Sequence, residues 1–168
     1  MATFNDWIEK LQLEAHPEGG YFRESYRSPE LIQADGLPDR YASARHVSTA
    51  IYFLLTSDNH SHFHKVASDE GWHFYDGSPV RLHIISPEGE YTSVLVGCDF
   101  EKNILPQYVV PAEHWFAAEV TVPDSFSLVG CTVAPGFDFA DFELAEQQSL
   151  ISTFPHLEAI IQRFTADK

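Results

Sequence analysis

Three histidines and two adjacent acidic residues lie within the fourteen-residue segment SHFHKVASDEGWHF, at positions 61–74. Imidazole and carboxylate groups at this density suit a metal site, acid–base catalysis or a hydrogen-bonded polar cluster. In an extended strand, His62 and His64 are two positions apart and are expected to point to the same face. Glu70 on the following strand is the natural third ligand. His62, His64 and Glu70 are therefore candidate ligands of one divalent transition metal, and metal-free acid–base chemistry or a polar cluster without chemistry are the alternatives.

The strand that carries Glu70 presents a choice between two faces. Along a regular strand, Glu70 and Trp72 share one face, while Gly71 and His73 share the other. Glu70 and His73 therefore cannot both point inward unless a β-bulge at Gly71 interrupts the alternation. Both residues are candidates for a place in the site.

A succession of short strand-like segments between Ser48 and Val133 must position these residues. The segments are separated by turn sequences, among them SDNHS, DGSP, SPEGE and VPDS. This spacing is typical of an antiparallel sandwich or barrel. HPEGG, at residues 16–20, lacks the strand–loop–helix context of a phosphate-binding loop and is predicted to be a turn before the first strand. Residues 28–46 are predicted to form a surface loop.

Both ends of the chain carry helical patterns. Residues 4–13 are predicted to form a short amphipathic helix. In FPHLEAIIQRF, at residues 154–164, apolar side chains recur at i, i+3, i+4 and i+7. We expect the C-terminal helices to cover an end or an edge of the barrel. PGFDFADFEL, at residues 135–144, is expected to pack its phenylalanines inward, because a calcium loop would need more oxygen ligands.

The charge of the chain restricts its partners. Ten basic residues against twenty-five acidic ones give a formal net charge of −15. Such a field repels phosphate backbones and anionic lipids, so we expect neither nucleic acid nor a membrane surface as a partner. The first ten residues lack the apolar segment of a signal peptide, and Cys98 and Cys131 lack CxxC spacing. A cytoplasmic location with two free thiols is therefore predicted.

The histidine-rich segment resembles the first cupin motif, with its HxH run followed by Glu70-x6-Gly77. The second cupin motif, Pro-x-Gly-x2-His, would fall on PAEHWF at residues 111–116. In that segment Glu113 replaces the glycine and Phe116 replaces the fourth ligand histidine. The resemblance therefore does not supply the complete four-ligand metal set.

A wider resemblance covers roughly residues 10–145, in HPEGGYFRESYRS, STAIYFLLT, HKVASDEGWHFYDGSP, QYVVPAEHWFAAE and FSLVGCTVAPGFDFADFEL. These segments resemble cupin subfamily five, a domain of unknown function. The resemblance implies an all-β fold with terminal helices, a jelly-roll-like double-stranded β-helix similar to dTDP-sugar epimerases. We expect one cupin domain over residues 1–168, with an N-terminal helix and turn (1–20), a β-barrel (21–142) and C-terminal helices (143–168).

The first functional hypothesis is a small-molecule-binding cupin with isomerase or epimerase activity on a sugar-like or carboxylated metabolite. Histidine and tyrosine in one pocket would move a proton beside a carbonyl group. The predicted catalytic residues are His64, Glu70, His73 and Tyr52. The residues predicted to line the pocket and bind the ligand are Arg23, Glu24, Tyr26, His83 and Trp115. Arg23 would hold a carboxylate or phosphate group.

Two alternatives remain open at this point. A metal-dependent cupin oxygenase or isomerase would use His62, His64 and Glu70, whereas a non-catalytic module would only bind its ligand. The cofactor is accordingly one divalent transition metal or none. A homodimer is implied by the resemblance and by the need to cover sheet edges.

Overall fold

The computed structural model describes residues 2–166 of the chain. Met1, Asp167 and Lys168 lie outside the described residues, so the last two positions of the predicted helical range 143–168 are not covered. Two antiparallel sheets face each other, and a two-stranded sheet lies apart from them. In spatial order, the six-stranded sheet consists of residues 14–15, 21–27, 49–56, 126–134, 69–77 and 107–110, the five-stranded sheet of residues 143–144, 60–65, 115–120, 80–85 and 91–96, and the small sheet of residues 31–32 and 45–46.

The strands are numbered along the chain. They are β1 (Glu14–Ala15), β2 (Tyr21–Arg27), β3 (Leu31–Ile32), β4 (Arg45–His46), β5 (Thr49–Thr56), β6 (His60–Lys65), β7 (Asp69–Gly77), β8 (Val80–Ile85), β9 (Tyr91–Val96), β10 (Gln107–Val110), β11 (Trp115–Val120), β12 (Phe126–Ala134) and β13 (Glu143–Leu144). The predicted fold class, an all-β double-stranded β-helix with terminal helices, is confirmed.

Alternation along β5 shows how the two faces of the six-stranded sheet are used. Ile51, Phe53 and Leu55 point between the sheets, where they join the main hydrophobic core. Tyr52 and Leu54 point to the outer face. Because both faces of β5 are covered, its sequence TAIYFLLT reads as an almost continuous apolar run rather than as a regular alternation.

The outer face of the six-stranded sheet is covered by helix α1 (Phe4–Leu11). Its N-terminus is closed by a capping box, in which the side chains of Thr3 and Asp6 each accept a backbone N–H of the other residue. Trp7 packs against the outer face of the sheet, and its indole N–H donates to Asp76 at 2.8 Å. The predicted N-terminal helix is therefore present and ends two residues earlier than 4–13.

Two C-terminal helices, α2 (Gln147–Thr153) and α3 (Glu158–Arg163), pack on the outer face of the five-stranded sheet. Leu150 of α2 and Ile161 of α3 are buried against Phe63 of β6 and Ile85 of β8. The helices thus cover the face of this sheet, not an end or an edge as expected. On β6 and β8, the residues that contact the helices alternate with residues that point between the sheets, so the five-stranded sheet also buries both of its faces.

Two regions differ from the predicted boundaries. The two-residue strands β1 and β13 lie outside the range 21–142, since strands this short leave no alternation pattern to detect. The segment 28–46 is not simply a surface loop, because Tyr41 and Arg45 are buried in it. The Arg45 guanidinium forms a two-point ion pair with Asp141, with N–O distances of 2.6 and 2.5 Å.

None of the helices within residues 2–166 combines the length and the apolar character that a transmembrane helix requires.

Candidate functional site

The HPEGG turn places a carboxylate inside the barrel. The turn is closed by backbone hydrogen bonds from His16 N–H to the Gly20 carbonyl (2.9 Å) and from Gly19 N–H to the His16 carbonyl (3.1 Å). Glu18, at its tip, is 5% exposed and points between the sheets. The predicted turn is present, but it connects β1 to β2 rather than preceding the first strand, and the prediction assigned Glu18 no role.

Gly19 makes this close approach feasible, and its replacement provides a first test. Its φ is +105°, and a Cβ atom at this position would lie 2.1 Å from the His60 carbonyl oxygen. We expect Gly19→Ala to lower the free energy of unfolding by about 3 kcal/mol or more, since it adds a backbone clash to an unfavourable φ. Urea denaturation measures the effect. Gly36→Ala, where φ is not positive and the nearest contact is 3.3 Å, is the control and should change stability by less than about 1 kcal/mol.

A β-bulge in β6 decides which histidine reaches the interior. Between Ser61 and His64, three steps along β6 match two steps along β11. Ser61 and His64 therefore both point inward, although they are three residues apart. The expectation that His62 and His64 share a face is wrong because of this bulge. The His62 ring instead packs edge-on against His60, with 4.9 Å between the ring centroids.

His64 and Glu18 form a buried ion pair. The Nδ1–H of His64 donates to the His62 carbonyl at 2.8 Å, and Nε2 lies 3.0 Å from Glu18 Oε2. The hydroxyl of Ser61 donates to the other carboxylate oxygen, Oε1, at 3.0 Å. His16 is also close, since its Nδ1 accepts the Glu18 backbone N–H at 3.2 Å. Each oxygen of the buried carboxylate therefore has a hydrogen-bond donor.

The pKa values of this pair move in opposite directions. Burial disfavours the Glu18 carboxylate, but the charge and hydrogen bond of His64 outweigh burial and lower the pKa of Glu18. Burial likewise opposes the imidazolium, but Glu18 outweighs it and raises the pKa of His64. Burial lowers the pKa of His16, and the Glu18 carboxylate, whose Oε2 lies 3.8 Å from His16 Nδ1, opposes this only in part. These shifts favour the charged forms of His64 and Glu18 and the neutral form of His16.

Glu70, on β7, contributes a second buried carboxyl group to the same pocket. His73 points to the opposite face, where its Nε2 contacts the Thr132 hydroxyl at 2.8 Å. The bulge in β7 falls at Tyr75 rather than at Gly71, so the alternation between positions 70 and 73 is regular. This answers the choice that the sequence left open: Glu70 faces the pocket.

The Glu70 carboxyl titrates near neutrality. Burial raises the pKa of Glu70 to about 7; the charge of His64 opposes the rise, and the Glu18 carboxylate adds to it. The Cys131 thiol is hydrogen bonded to this carboxyl group, and burial raises the pKa of Cys131 well above its ordinary value. Glu70 can therefore exchange a proton near pH 7 while Cys131 stays protonated.

These groups form the floor of a pocket between the two sheets. The buried floor consists of His16, Glu18, His64, Glu70 and Cys131. The walls are the aromatic side chains of Phe22, Phe137, Phe139 and Phe142 and the aliphatic ones of Ile51, Val66 and Val133. Glu24, Arg27 and Thr49 complete the lining.

A third bulge, in β2, brings Glu24 and Arg27 to the same wall. β5 pairs its neighbouring residues Ile51 and Ala50 with Glu24 and Tyr26, so Ser25 is the extra residue. Arg27 and Glu24 then form a two-point ion pair, with N–O distances of 3.0 and 2.7 Å. Glu24 was predicted to line the pocket, whereas Arg27 was not predicted.

The segment 137–142, which we call the phenylalanine strap, forms one wall of the pocket. The strap is held at one end by Arg27, which donates to the Phe137 carbonyl at 3.1 Å, and at the other by the Arg45–Asp141 ion pair. His64 lies between the strap and β11. The Phe142 ring of the strap stacks on the His64 ring, with 5.5 Å between centroids, and the Phe116 ring of β11 lies 4.1 Å from it on the same measure. The prediction that these phenylalanines pack inward is confirmed for Phe137 and Phe142.

Three residues predicted for the pocket lie on the outer face of the six-stranded sheet. Arg23 donates to the Leu11 carbonyl at 3.0 Å, and Tyr26 is 51% exposed. Tyr52 packs in the cluster beneath α1, 6.3 Å from the Tyr75 ring. The structure therefore does not bring Tyr52 to His64 or Arg23 to the pocket. Their residue types suit catalysis or ligand binding, but their positions along β2 and β5 direct their side chains away from the pocket.

His83 and Trp115 lie on the outer face of the five-stranded sheet. The Nδ1 of His83 contacts the Tyr91 hydroxyl at 2.7 Å, and its Nε2 lies 3.0 Å from Glu119 Oε1. Trp115 packs in the cluster formed with α2 and α3, with the Lys65 ammonium 4.9 Å from its ring. Neither residue lines the pocket, since the inward-facing positions of β8 and β11 alternate with theirs.

The donor groups around His64 do not fit a metal ion. Both nitrogens of His64 are used, one by the His62 carbonyl and the other by Glu18. His62 points away, and Phe116 occupies the position that the resemblance assigns to a fourth ligand. Within residues 2–166, no three His, Cys, Asp or Glu side chains converge as a metal-binding group. The predicted set of His62, His64 and Glu70 is therefore not assembled, and no step below involves a metal.

The double-stranded β-helix and its buried polar floor define the chain as a cupin-type barrel. The sequence matches the family described as Cupin superfamily (DUF985) over residues 5–145, and the chain belongs to this family.

Solved structures and curated relatives agree with this assignment. The crystal structure of protein SO0799 from Shewanella oneidensis superposes with a TM-score of 0.89 at 39% identity and covers 100% of both chains. An uncharacterized protein of Saccharomyces cerevisiae, YML079W, is 31% identical over 150 residues, which cover 82% of this chain and 70% of the relative. Oxalate decarboxylase from Bacillus subtilis is 12% identical, with a TM-score of 0.55 over 92% of this chain and 37% of that chain. That similarity shows the fold alone.

Proposed function

We propose that this cupin binds a small carbonyl compound and isomerises it by proton transfer through Glu70. The observation that carries the proposal is the position of the Glu70 carboxyl: it is buried, it faces the pocket, and within residues 2–166 no cation is paired with it as His64 is with Glu18. A carboxyl group that exchanges its proton near neutral pH is suited to act alternately as base and acid.

The proposed step is a proton shift next to a carbonyl group. Glu70, as carboxylate, takes a proton from the carbon beside the carbonyl; the C–H electron pair forms a C=C bond, and the carbonyl π pair moves to oxygen. In a β,γ-unsaturated carbonyl compound the enolate is a dienolate: Glu70 returns the proton to its γ carbon with the electron pair of the β,γ double bond, the pair of the enolate C=C bond forms an α,β C=C bond, and the oxygen pair re-forms the carbonyl group. The charge of His64 favours the negative charge that develops in the pocket. The apolar walls exclude water from the intermediate.

The same geometry favours isomerisation over epimerisation. Epimerisation requires a proton to leave one face of a carbon atom and to return on the other, so it needs a second acid–base group across the pocket. Tyr52, the predicted partner of His64, lies on the outer face of the sheet. Isomerisation needs only one carboxyl group, which moves a proton between two atoms on the same face of the substrate. Glu70 can do this by itself.

Hydrogen–deuterium exchange tests the proposal directly. Acetophenone is incubated with the protein in D₂O, and loss of its methyl proton signal is followed by NMR. We expect catalysed exchange whose rate rises as Glu70 ionises, with a midpoint near its pKa of about 7. Glu70→Gln should lower the rate by about 100-fold or more, the usual contribution of a general base.

His73→Gln is the matched control for this experiment. It removes a predicted catalytic residue that lies on the outer face of β7, and the rate should stay within about 2-fold of the original. Exchange that does not depend on Glu70 would refute the proposal. Binding of ketones without any exchange would support the non-catalytic module.

The remaining expectations of the sequence stay proposals. We propose a homodimer in the cytoplasm, without nucleic acid or membrane as a partner. The net charge of −15 supports the absence of nucleic acid and membrane partners. The dimer is supported by two large exposed aromatic residues on the outer face of the six-stranded sheet, Tyr26 (51%) and Tyr75 (53%).

A further inference from the structure

The cations of the pocket lining are already paired with carboxylates of the same lining. His64 is bound to Glu18 at 3.0 Å. Arg27 is bound to Glu24 through two nitrogens, at 3.0 and 2.7 Å, and its third nitrogen donates to the Phe137 carbonyl. An anionic ligand would therefore have to displace one of these carboxylates before it met a free positive charge.

The walls around these pairs are apolar. The three phenylalanines of the strap form one cluster, with 5.0 to 6.3 Å between ring centroids. Phe22 continues the aromatic wall and packs edge-on against His16 at 4.5 Å. A charged group placed against such walls loses its hydration without gaining an ion-pair partner, whereas an uncharged ring gains contact area.

We infer that the pocket selects an uncharged, largely apolar carbonyl compound and excludes carboxylates and phosphate esters. The polar end of the ligand would meet Glu70, and its apolar part would lie against the phenylalanine strap. The inference rests on the proposed function for the carbonyl group, and on the paired charges and aromatic walls for the absence of charge. It also replaces the expectation that Arg23 holds an anion, since Arg23 lies outside the pocket.

Three probes of similar size and different charge test the selectivity: acetophenone, benzoate and benzylamine. Their dissociation constants are measured at pH 6, where Glu70 is largely protonated, by titration of the backbone amide signals of residues 137–142. We expect acetophenone to bind at least about 10-fold more tightly than benzoate, which would be buried without a free cation, and than benzylamine, which would first have to ionise the protonated Glu70.

The variant Glu24→Gln tests whether a single carboxylate prevents the pocket from binding an anion. It removes the carboxylate that neutralises Arg27 and leaves the guanidinium free for a ligand. Benzoate should then bind about 10-fold more tightly than it does to the original protein, as expected for a new two-point Arg–carboxylate contact. Asp99→Asn is the control, since it neutralises one acid of the exposed Asp99–Lys102 pair, away from the pocket, and should leave the ratio unchanged.

Several outcomes would overturn the inference. They are benzoate or benzylamine binding as tightly as acetophenone, no gain for benzoate in Glu24→Gln, and no binding of acetophenone at millimolar concentration.

A separate readout distinguishes failure of this inference from failure of the proposed function. If 4-acetylbenzoate exchanges its methyl protons and acetophenone does not, the inference fails and the function stands. If the binding preference holds, also in Glu70→Gln, but no exchange occurs, the function fails and the inference about charge stands.

Discussion

Replacing Glu70 by glutamine should increase the free energy of unfolding at pH 8 by about 3 kcal/mol, although it removes the proposed catalytic group. The pKa of Glu70 lies at about 7 in the folded protein, against an ordinary value of 4.5. At pH 8 the folded protein must therefore hold a buried carboxylate that is more stable in the unfolded chain. Glutamine has nearly the same shape and carries no charge, so this unfavourable contribution is absent.

The pH dependence identifies the cause. Below pH 4.5 the Glu70 carboxyl is protonated in both states, and the two proteins should differ little. As the pH rises from 4.5 through about 7, only the unfolded state releases the proton readily, so the original protein loses stability relative to the variant. Above pH 7 the difference is constant. Urea denaturation at pH 4.5, 6 and 8 measures this curve.

Glu143→Gln is the matched control for this measurement, because Glu143 pairs with Lys65 at the surface and its side chain is 59% exposed. It should change stability by less than about 1 kcal/mol at any of these pH values. A Glu70→Gln variant that is less stable than the original protein at pH 8, or that differs equally at all three pH values, would contradict the assignment of a raised pKa. A carboxyl group that lowers stability at this position is consistent with a functional role, because functional groups are retained at a cost in stability.

The spacing of residues in the sequence identified two of the five residues of the buried floor. The HxH run and the acid that follows it located His64 and Glu70, although alternation alone left Glu70 and His73 as alternatives. Glu18 was missed, since its role depends on Ser61, 43 residues later in the chain, which local patterns do not reveal. The only signal was the wider resemblance, which already included HPEGG.

Bulges account for the errors at single residues. The extra residue between Ser61 and His64 turns His62 outward, and the extra residue at Ser25 turns Arg27 inward. A bulge changes register by one residue and leaves no reliable mark in composition, so alternation predicts the wrong face beyond it. The outward position of His83 has a different origin. Both faces of its sheet are buried, so apolar neighbours do not distinguish the pocket side.

His64→Phe should lower the free energy of unfolding at pH 7 by about 3 to 5 kcal/mol, because it leaves the Glu18 carboxylate buried without its counter-charge. The phenyl ring itself fits between Phe116 and Phe142, whose rings already contact His64. In a Glu18→Gln background the same substitution should cost only about 1 to 3 kcal/mol, since it strands a neutral amide that still accepts the Ser61 hydroxyl.

The difference between these two costs measures the charge interaction alone, because the loss of imidazole packing is common to both backgrounds. In the folded protein the pKa of Glu18 is lowered by His64, so the stability that Glu18 contributes is present above pH 4.5 and is lost as the pH falls through its folded pKa. The difference should therefore be about 2 kcal/mol at pH 7 and should shrink towards pH 4, where an unpaired Glu18 takes up a proton. Equal costs of His64→Phe in both backgrounds at pH 7 would mean that His64 and Glu18 form a neutral hydrogen bond, and His64 would then carry no charge that could favour an enolate in the pocket.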